Sequence, residues 1–211
     1  MSLHRHVSGR HGPADHGALH ACAFFDSEAA EREVVVPFAR DCVDSGDRCL
    51  GFADPERLPQ RLHDLERAGL SVPALTASGQ LDWRPWQDTV LQGGAFDIKR
   101  TLAQFAALAA APGTPFAGTR VWANMEWVLT GAPGTERLVE FESRVNEVLR
   151  GCQGMVALCL YDIRRHSAPL LADILSTHPM LLMGGVLTPN PMYVPTPEFL
   201  HDYAQRQGTA A

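Results

Sequence analysis

His20 and Cys22 stand two apart in the apolar run Leu19–Phe25, and Cys159 and Tyr161 stand two apart in the apolar run Met155–Tyr161. Side chains two apart on a strand point to one face. If the two strands are neighbours, His20, Cys22, Cys159 and, from the His178-Pro179 pair, His178 converge as a mixed nitrogen and sulfur set. Such a set suits zinc, iron or haem, in a sensor or an enzyme. No CxxC, CxxCH or HExxH spacing accompanies it, and buried free cysteines also arise from packing alone. A Cys–His nucleophile needs an orienting third residue and an oxyanion turn, and the sequence names neither. The expectation is therefore a non-catalytic protein without a cofactor, with the His/Cys set as the alternative.

A second group of residues falls at predicted strand ends, where open parallel sheets bind their ligands. Phe25, Asp26 and Ser27 end one strand, Asn124, Met125, Glu126 and Trp127 follow another, and Tyr161, Asp162 and Arg164 close the long apolar one. Aromatic rings and Met with a few polar groups suit a small organic ligand, although Phe25, Met125 and Trp127 serve equally well as core. Asp162 is expected to bind a ligand or to pair with Arg120 or Arg164. Tyr193 lies among Pro189, Pro191 and Pro195, which stiffen an extended segment. That segment is a pocket wall, an edge that meets a partner, or a connector with Tyr193 packed on the core.

These residues need a scaffold, and the stretch Leu19–Asp54 supplies its pattern. A short apolar run ends at Asp26-Ser27, which has good N-cap chemistry. Val34, Phe38 and Cys42 then fall on one helical face, Gly46 ends the helix, and Arg48–Ala53 is a second strand. This β-α-β unit is where nucleotide-binding proteins carry a phosphate loop. Here there is no GxxxxGK[ST], the turn carries Asp26, Glu28 and Glu31, and the one lysine, Lys99, lies far away. Further on, the spacing predicts helices over Pro55–Ala68, Phe96–Ala111, Thr135–Leu149, from Ser167, and Glu198–Gln207, with a helical turn at Trp86–Leu91. It predicts strands at Val72–Thr76, Gln80–Trp83, Arg120–Ala123, Met155–Tyr161, Met180–Met183 and Val186–Thr188. Alternating strands and helices imply a three-layer α/β fold with a mostly parallel sheet flanked by helices.

Composition narrows the function classes. A chain of 211 residues, 45% hydrophobic, suffices for one sizeable domain, expected at residues 18–207 between a disordered arm (1–17) and a tail (208–211). A net charge of −6 argues against direct nucleic-acid binding, and no apolar run is long enough to span a membrane. Five cysteines, odd in number and mostly in apolar contexts, suit reduced thiols in a cytoplasm.

Several segments in order resemble the MEDS domain family, the methanogen/methylotroph, DcmR-type sensory domains. They are His20–Phe25, Val36-Pro37-Phe38-Ala39, Gly79-Gln80-Leu81, Met125-Glu126-Trp127, Glu140-Phe141-Glu142 with Asn146, Cys159–Asp162, Thr177-His178-Pro179 and Asn190–Pro195. The resemblance runs from about Leu19 to Tyr203. It implies a RecA/KaiC-like fold that has lost its nucleotide machinery. It also implies sensing of a small organic ligand, such as a hydrocarbon derivative, in bacterial signalling and transcription. The expected partner is a regulatory protein, a histidine kinase or transcription regulator, and a homodimer would cover the sheet's edge strands. With no output module in sight, the chain resembles the stand-alone form of the family.

Overall fold

The computed structural model describes residues 18–109 and 115–208. The expected arm at 1–17, the end of the expected helix at Ala110–Ala111, and residues 209–211 lie outside them. Seven strands form one sheet in the order β3-β2-β4-β5-β1-β6-β7. They are β1 (Leu19–Phe25), β2 (Arg48–Ala53), β3 (Leu81–Pro85), β4 (Thr119–Asn124), β5 (Met155–Asp162), β6 (Met180–Met183) and β7 (Val186–Pro189). Every pairing is parallel except the closing β6–β7 hairpin, whose Gly184 and Gly185 both take positive φ.

Among the described residues seven α-helices cover the sheet: α1 (Glu28–Asp44), α2 (Leu58–Arg67), α3 (Val72–Ala77), α4 (Ile98–Ala109), α5 (Leu138–Leu149), α6 (Ala168–Thr177) and α7 (Thr196–Gly208). Alternation along the strands builds two separate cores. Ala21, Ala23, Phe25, Leu158 and Leu160 pack against α1, α2 and α3. Cys22, Val121, Ala123, Ala157, Cys159 and Tyr161 face α4, α5, α6 and α7. The three layers expected from the sequence are therefore present, and β1 lies beside β5 with Cys22 level with Cys159.

Local chemistry explains the element starts. The Ser27 hydroxyl accepts from Ala30 N at 3.2 Å and opens α1, and Ser167 caps α6 in the same way. Three readings are corrected. Val72–Thr76 is not a strand but the short helix α3: Pro73 sits in its first turn, where the missing N–H costs nothing. The helix expected over Thr135–Leu149 begins at Leu138 as α5: a 3-10 turn, Thr135–Arg137, precedes it, and the Thr135 hydroxyl donates to Ala132 O. Arg120 does not reach Asp162, because it lies at the amino end of β4 while Asp162 ends the parallel β5. Arg120 instead pairs with Asp47 at 2.7 Å and bonds the Ser45 hydroxyl.

Candidate functional site

Four side chains meet in the layer between the sheet and α5. His20 comes from β1, Cys159 from β5, Glu142 from α5, and His178 from the residue that ends α6. Their ligand atoms all lie within 4.8 Å of one another, and all four residues are buried. Glu142 Oε2 is 3.1 Å from His20 Nε2, 3.4 Å from His178 Nε2 and 3.6 Å from Cys159 Sγ. Cys159 Sγ is also 3.6 Å from His20 Nε2, and the two imidazole centroids are 4.1 Å apart.

A surrounding ring of hydrogen bonds orients each member. Asn146 uses its amide nitrogen on Thr177 O at 2.8 Å, so its oxygen faces His20 Nδ1 at 3.0 Å and accepts that proton. His178 Nδ1 donates to Ile174 O at 2.8 Å. Both imidazoles are thus held as Nδ1–H and turn Nε2 inward. Tyr161 donates its hydroxyl to Glu142 Oε1 at 2.5 Å, leaving Oε2 for the centre. His178 Nε2 is fully buried and makes no hydrogen bond.

Electrostatics in the metal-free chain follow from this crowding. Burial opposes the Glu142 charge, but His178 and His20 outweigh it and hold the carboxyl far below its usual range. Burial, reinforced by His178, pushes His20 below the ordinary imidazole value. Burial also pulls on His178, yet Cys22 and Glu142 overcome it and hold that imidazole well above the ordinary value. Burial and the Glu142 charge push the Cys159 thiol up to about 12, the opposite of an activated nucleophile.

A small cavity of about 10 Å³ touches this group. It is walled by Phe52, Val90, Phe105, Ala123, Met125, Trp127, Phe141 and Val145, with His20 and Cys159 at one end. Met125 and Trp127 thus lie in its wall, delivered by the 3-10 turn Met125–Thr130 that Asn124 caps through Glu126 N.

The other strand-end residues go elsewhere. Phe25 packs in the opposite core, beneath α1. Asp26 is exposed and Ser27 is committed to capping. Asp162 is buried and held by Arg164 through its backbone N–H and two guanidinium contacts of 3.0 and 2.6 Å, which lower its pKa. Glu126 is buried against Arg165, with Arg57 at 3.8 Å. Glu31, in the first turn of α1, pairs with buried Arg61 and accepts from Asn124 at 3.2 Å. The buried carboxylates Glu31, Glu126 and Asp162 at this end of the sheet are thus each paired with an arginine. Tyr193 is half-buried in a segment pinned by Asn190, whose amide donates to Leu175 O and His178 O at 2.7 Å each.

The model of the methanogen/methylotroph, DcmR sensory domain matches residues 19–179. The chain belongs to the MEDS family. That is a family of sensory domains, and the matched span contains all four converging residues. No curated protein matches the chain. Solved structures show the fold. A flagellar accessory protein, FlaH, from Methanocaldococcus jannaschii is 12% identical over 88% of this chain and 80% of its own, with a TM-score of 0.55. A KaiC-like protein from Pyrococcus horikoshii is 9% identical over 78% and 69%, at 0.53. A further Pyrococcus horikoshii protein is 9% identical over 90% and 91%, at 0.55. The MEDS chain is therefore a RecA/KaiC-like α/β domain. At the end of its sheet, internal ion pairs stand where the sequence lacks a phosphate loop.

Glu142 is the member of the cluster that strand spacing did not supply. Its signal was present: Glu142 and Asn146 sit one turn apart, each one residue after an apolar position of α5, Phe141 and Val145. Cys22, offered by the spacing, points to the same face but is not one of the four converging ligands.

Proposed function

We propose that this MEDS chain is a non-catalytic sensor of a small, neutral organic molecule, taken into the cavity beside Met125 and Trp127 and reported to a regulatory protein partner. One observation carries the reading: an apolar hollow between the sheet and the helices, with His20 and Cys159 among its lining. Such a lining of rings and Met with few polar groups is what small-molecule sites use. At about 10 Å³ the hollow holds at most about one water. A guest therefore binds only a wider form, in which Met125 changes rotamer and α4 and α5 ease off the sheet. A guest that prefers the wider form shifts the population toward it, which is what a sensor requires. The carboxyl end of the sheet suits such a guest less, because it is charged and Arg61, Arg164 and Arg165 there are committed to Glu31, Asp162 and Glu126. The partner, a histidine kinase or transcription regulator, would read the displacement of α4 and α5.

The test is a thermal-shift screen with short-chain alcohols, ketones and haloalkanes. A hundredfold excess over Kd adds about 2.7 kcal/mol of stability. Ala123→Val, which fills the hollow, should cancel the shift. Stabilisation by none of these probes, or the same stabilisation in Ala123→Val, would refute the reading.

A further inference from the structure

We infer that His20, Glu142, Cys159 and His178 form a four-coordinate site for a zinc-class divalent metal ion. The inference stands apart from the identity of the guest: it concerns the ligand set, not the hollow.

Edge lengths make the first argument. A tetrahedral ion with bonds of about 2.0 Å to nitrogen and oxygen and about 2.3 Å to sulfur sets ligand pairs about 3.3 Å apart, or about 3.5 Å when one is sulfur. The observed separations are 3.1 Å (His20–Glu142), 3.4 Å (His178–Glu142), and 3.6 Å for Cys159 to both Glu142 and His20. Four of the six ligand pairs thus stand at the edge lengths of a tetrahedral site, and all ligand atoms lie within 4.8 Å of one another.

The outer contacts make the second argument. Metal-binding histidines hand their other ring proton to a carbonyl or amide oxygen, which fixes the tautomer. His20 does so to Asn146 Oδ1 and His178 to Ile174 O. Tyr161 occupies one oxygen of Glu142 and leaves the second for the ion. His178 Nε2, buried without a hydrogen bond, is aimed into the site.

Charge and softness select the ion. A thiolate, a carboxylate and two neutral imidazoles bring a charge of −2, which a divalent ion neutralises in a fully buried place. Loading displaces the Cys159 thiol proton, and any imidazolium proton, to solvent. Sulfur and nitrogen ligands favour zinc-class ions over magnesium or calcium, which take oxygen. Because His20 and Cys159 also line the cavity, the ion would sit at its polar end.

The experiment uses the full chain, stripped with a chelator and reloaded with zinc or cobalt(II). The expected result is one tightly held metal per chain by elemental analysis, and for cobalt the intense visible bands of a tetrahedral site with a thiolate-to-cobalt charge-transfer band. That band should vanish in Cys159→Ser, checked for folding by circular dichroism, and persist in Cys152→Ser, whose thiol lies outside the cluster. The histidines of residues 1–17 bring no sulfur and cannot produce the band. Absence of stoichiometric metal in the wild-type chain would overturn the inference. So would a charge-transfer band that survives Cys159→Ser and disappears in Cys22→Ser.

Discussion

Removing the Glu142 carboxylate from the chelator-treated chain gives a loss whose size and pH dependence the geometry fixes. The group accepts from Tyr161 at 2.5 Å and sits 3.1 and 3.4 Å from two inward imidazole nitrogens. Glu142→Ala deprives a buried imidazolium of its counter-charge, which costs about 3–5 kcal/mol. It also orphans the Tyr161 hydroxyl, about 1–3 kcal/mol. One group causes both, so they do not simply add, and the expected loss is about 4 kcal/mol. Glu142→Gln also removes the counter-charge but keeps an oxygen for Tyr161 and offers an amide hydrogen to a neutral Nε2, so a smaller loss of about 1–2 kcal/mol is expected on the alkaline side. The pH profile separates charge from packing. His178 has a raised value, so its contribution is complete below the ordinary imidazole value of 6.5 and is lost as pH climbs through the folded value. His20 has a lowered value, so stability is instead lost as pH falls below 6.5. Urea unfolding of the wild-type chain should therefore show greatest stability near that value. On the alkaline side the decline should approach about 1.4 kcal/mol per pH unit. Glu142→Gln should flatten the alkaline limb. A flat wild-type profile, or a loss below about 1 kcal/mol in Glu142→Ala, would refute this account of the buried group.

Two further substitutions probe the opposite face. Arg61→Met leaves Glu31 buried without its partner and should cost about 3–5 kcal/mol at neutral pH. Because burial already raises the Glu31 pKa, the loss should shrink on acidification as the carboxyl takes up a proton; an equal loss at both pH values by urea titration would contradict the pairing. Gly51→Ala would place a Cβ 2.5 Å from Trp122 Nε1 and 2.6 Å from Trp83 Cδ1, where the two indoles meet edge to face. Overpacking there should cost about 1–3 kcal/mol, and an unchanged melting temperature would show that the rings can move aside.

Most of the architecture was readable because strand and helix periods differ. The near-continuous apolar run Met155–Tyr161 became β5, buried on both faces, and Ser27 and Ser167 opened the helices that they announce. Val72–Thr76 misled because a short, largely apolar pentamer looks like a strand until Pro73 is read as a first-turn residue. For the candidate site, period-two spacing was enough to bring His20 and Cys159 together once β1 and β5 proved to be neighbours. Glu142 was hidden among glutamates: α5 and its approach carry Glu136, Glu140, Glu142 and Glu147, of which Glu142 is buried. Local sequence does not say which acidic side chain a tertiary contact will bury. Phe25 and Trp127, both near strand ends, look equivalent in sequence, yet Phe25 is the last residue of β1 and Trp127 belongs to the 3-10 turn after β4, and they pack in opposite cores.

Under the proposed reading, a fold of this class would work without a nucleotide, and the two faces of the sheet bear on how. Binding at the carboxyl end of a parallel sheet needs free donors there, usually backbone N–H groups of a glycine-rich turn and a lysine. In this chain the first turn is short and acidic. The arginines that face it are spent on Glu31, Glu126 and Asp162, and a phosphate would have to break those pairs in a half-buried setting. One layer away lie His178 Nε2, buried without a hydrogen bond, the Glu142 oxygen that Tyr161 leaves to the imidazoles, and a hollow lined by their neighbours His20 and Cys159. Under the proposed function, the chemistry is held by side chains that face α5 from β1 and β5. A response that starts there reaches α4 and α5 directly, because Phe105, Phe141 and Val145 on those helices form the wall of the same hollow.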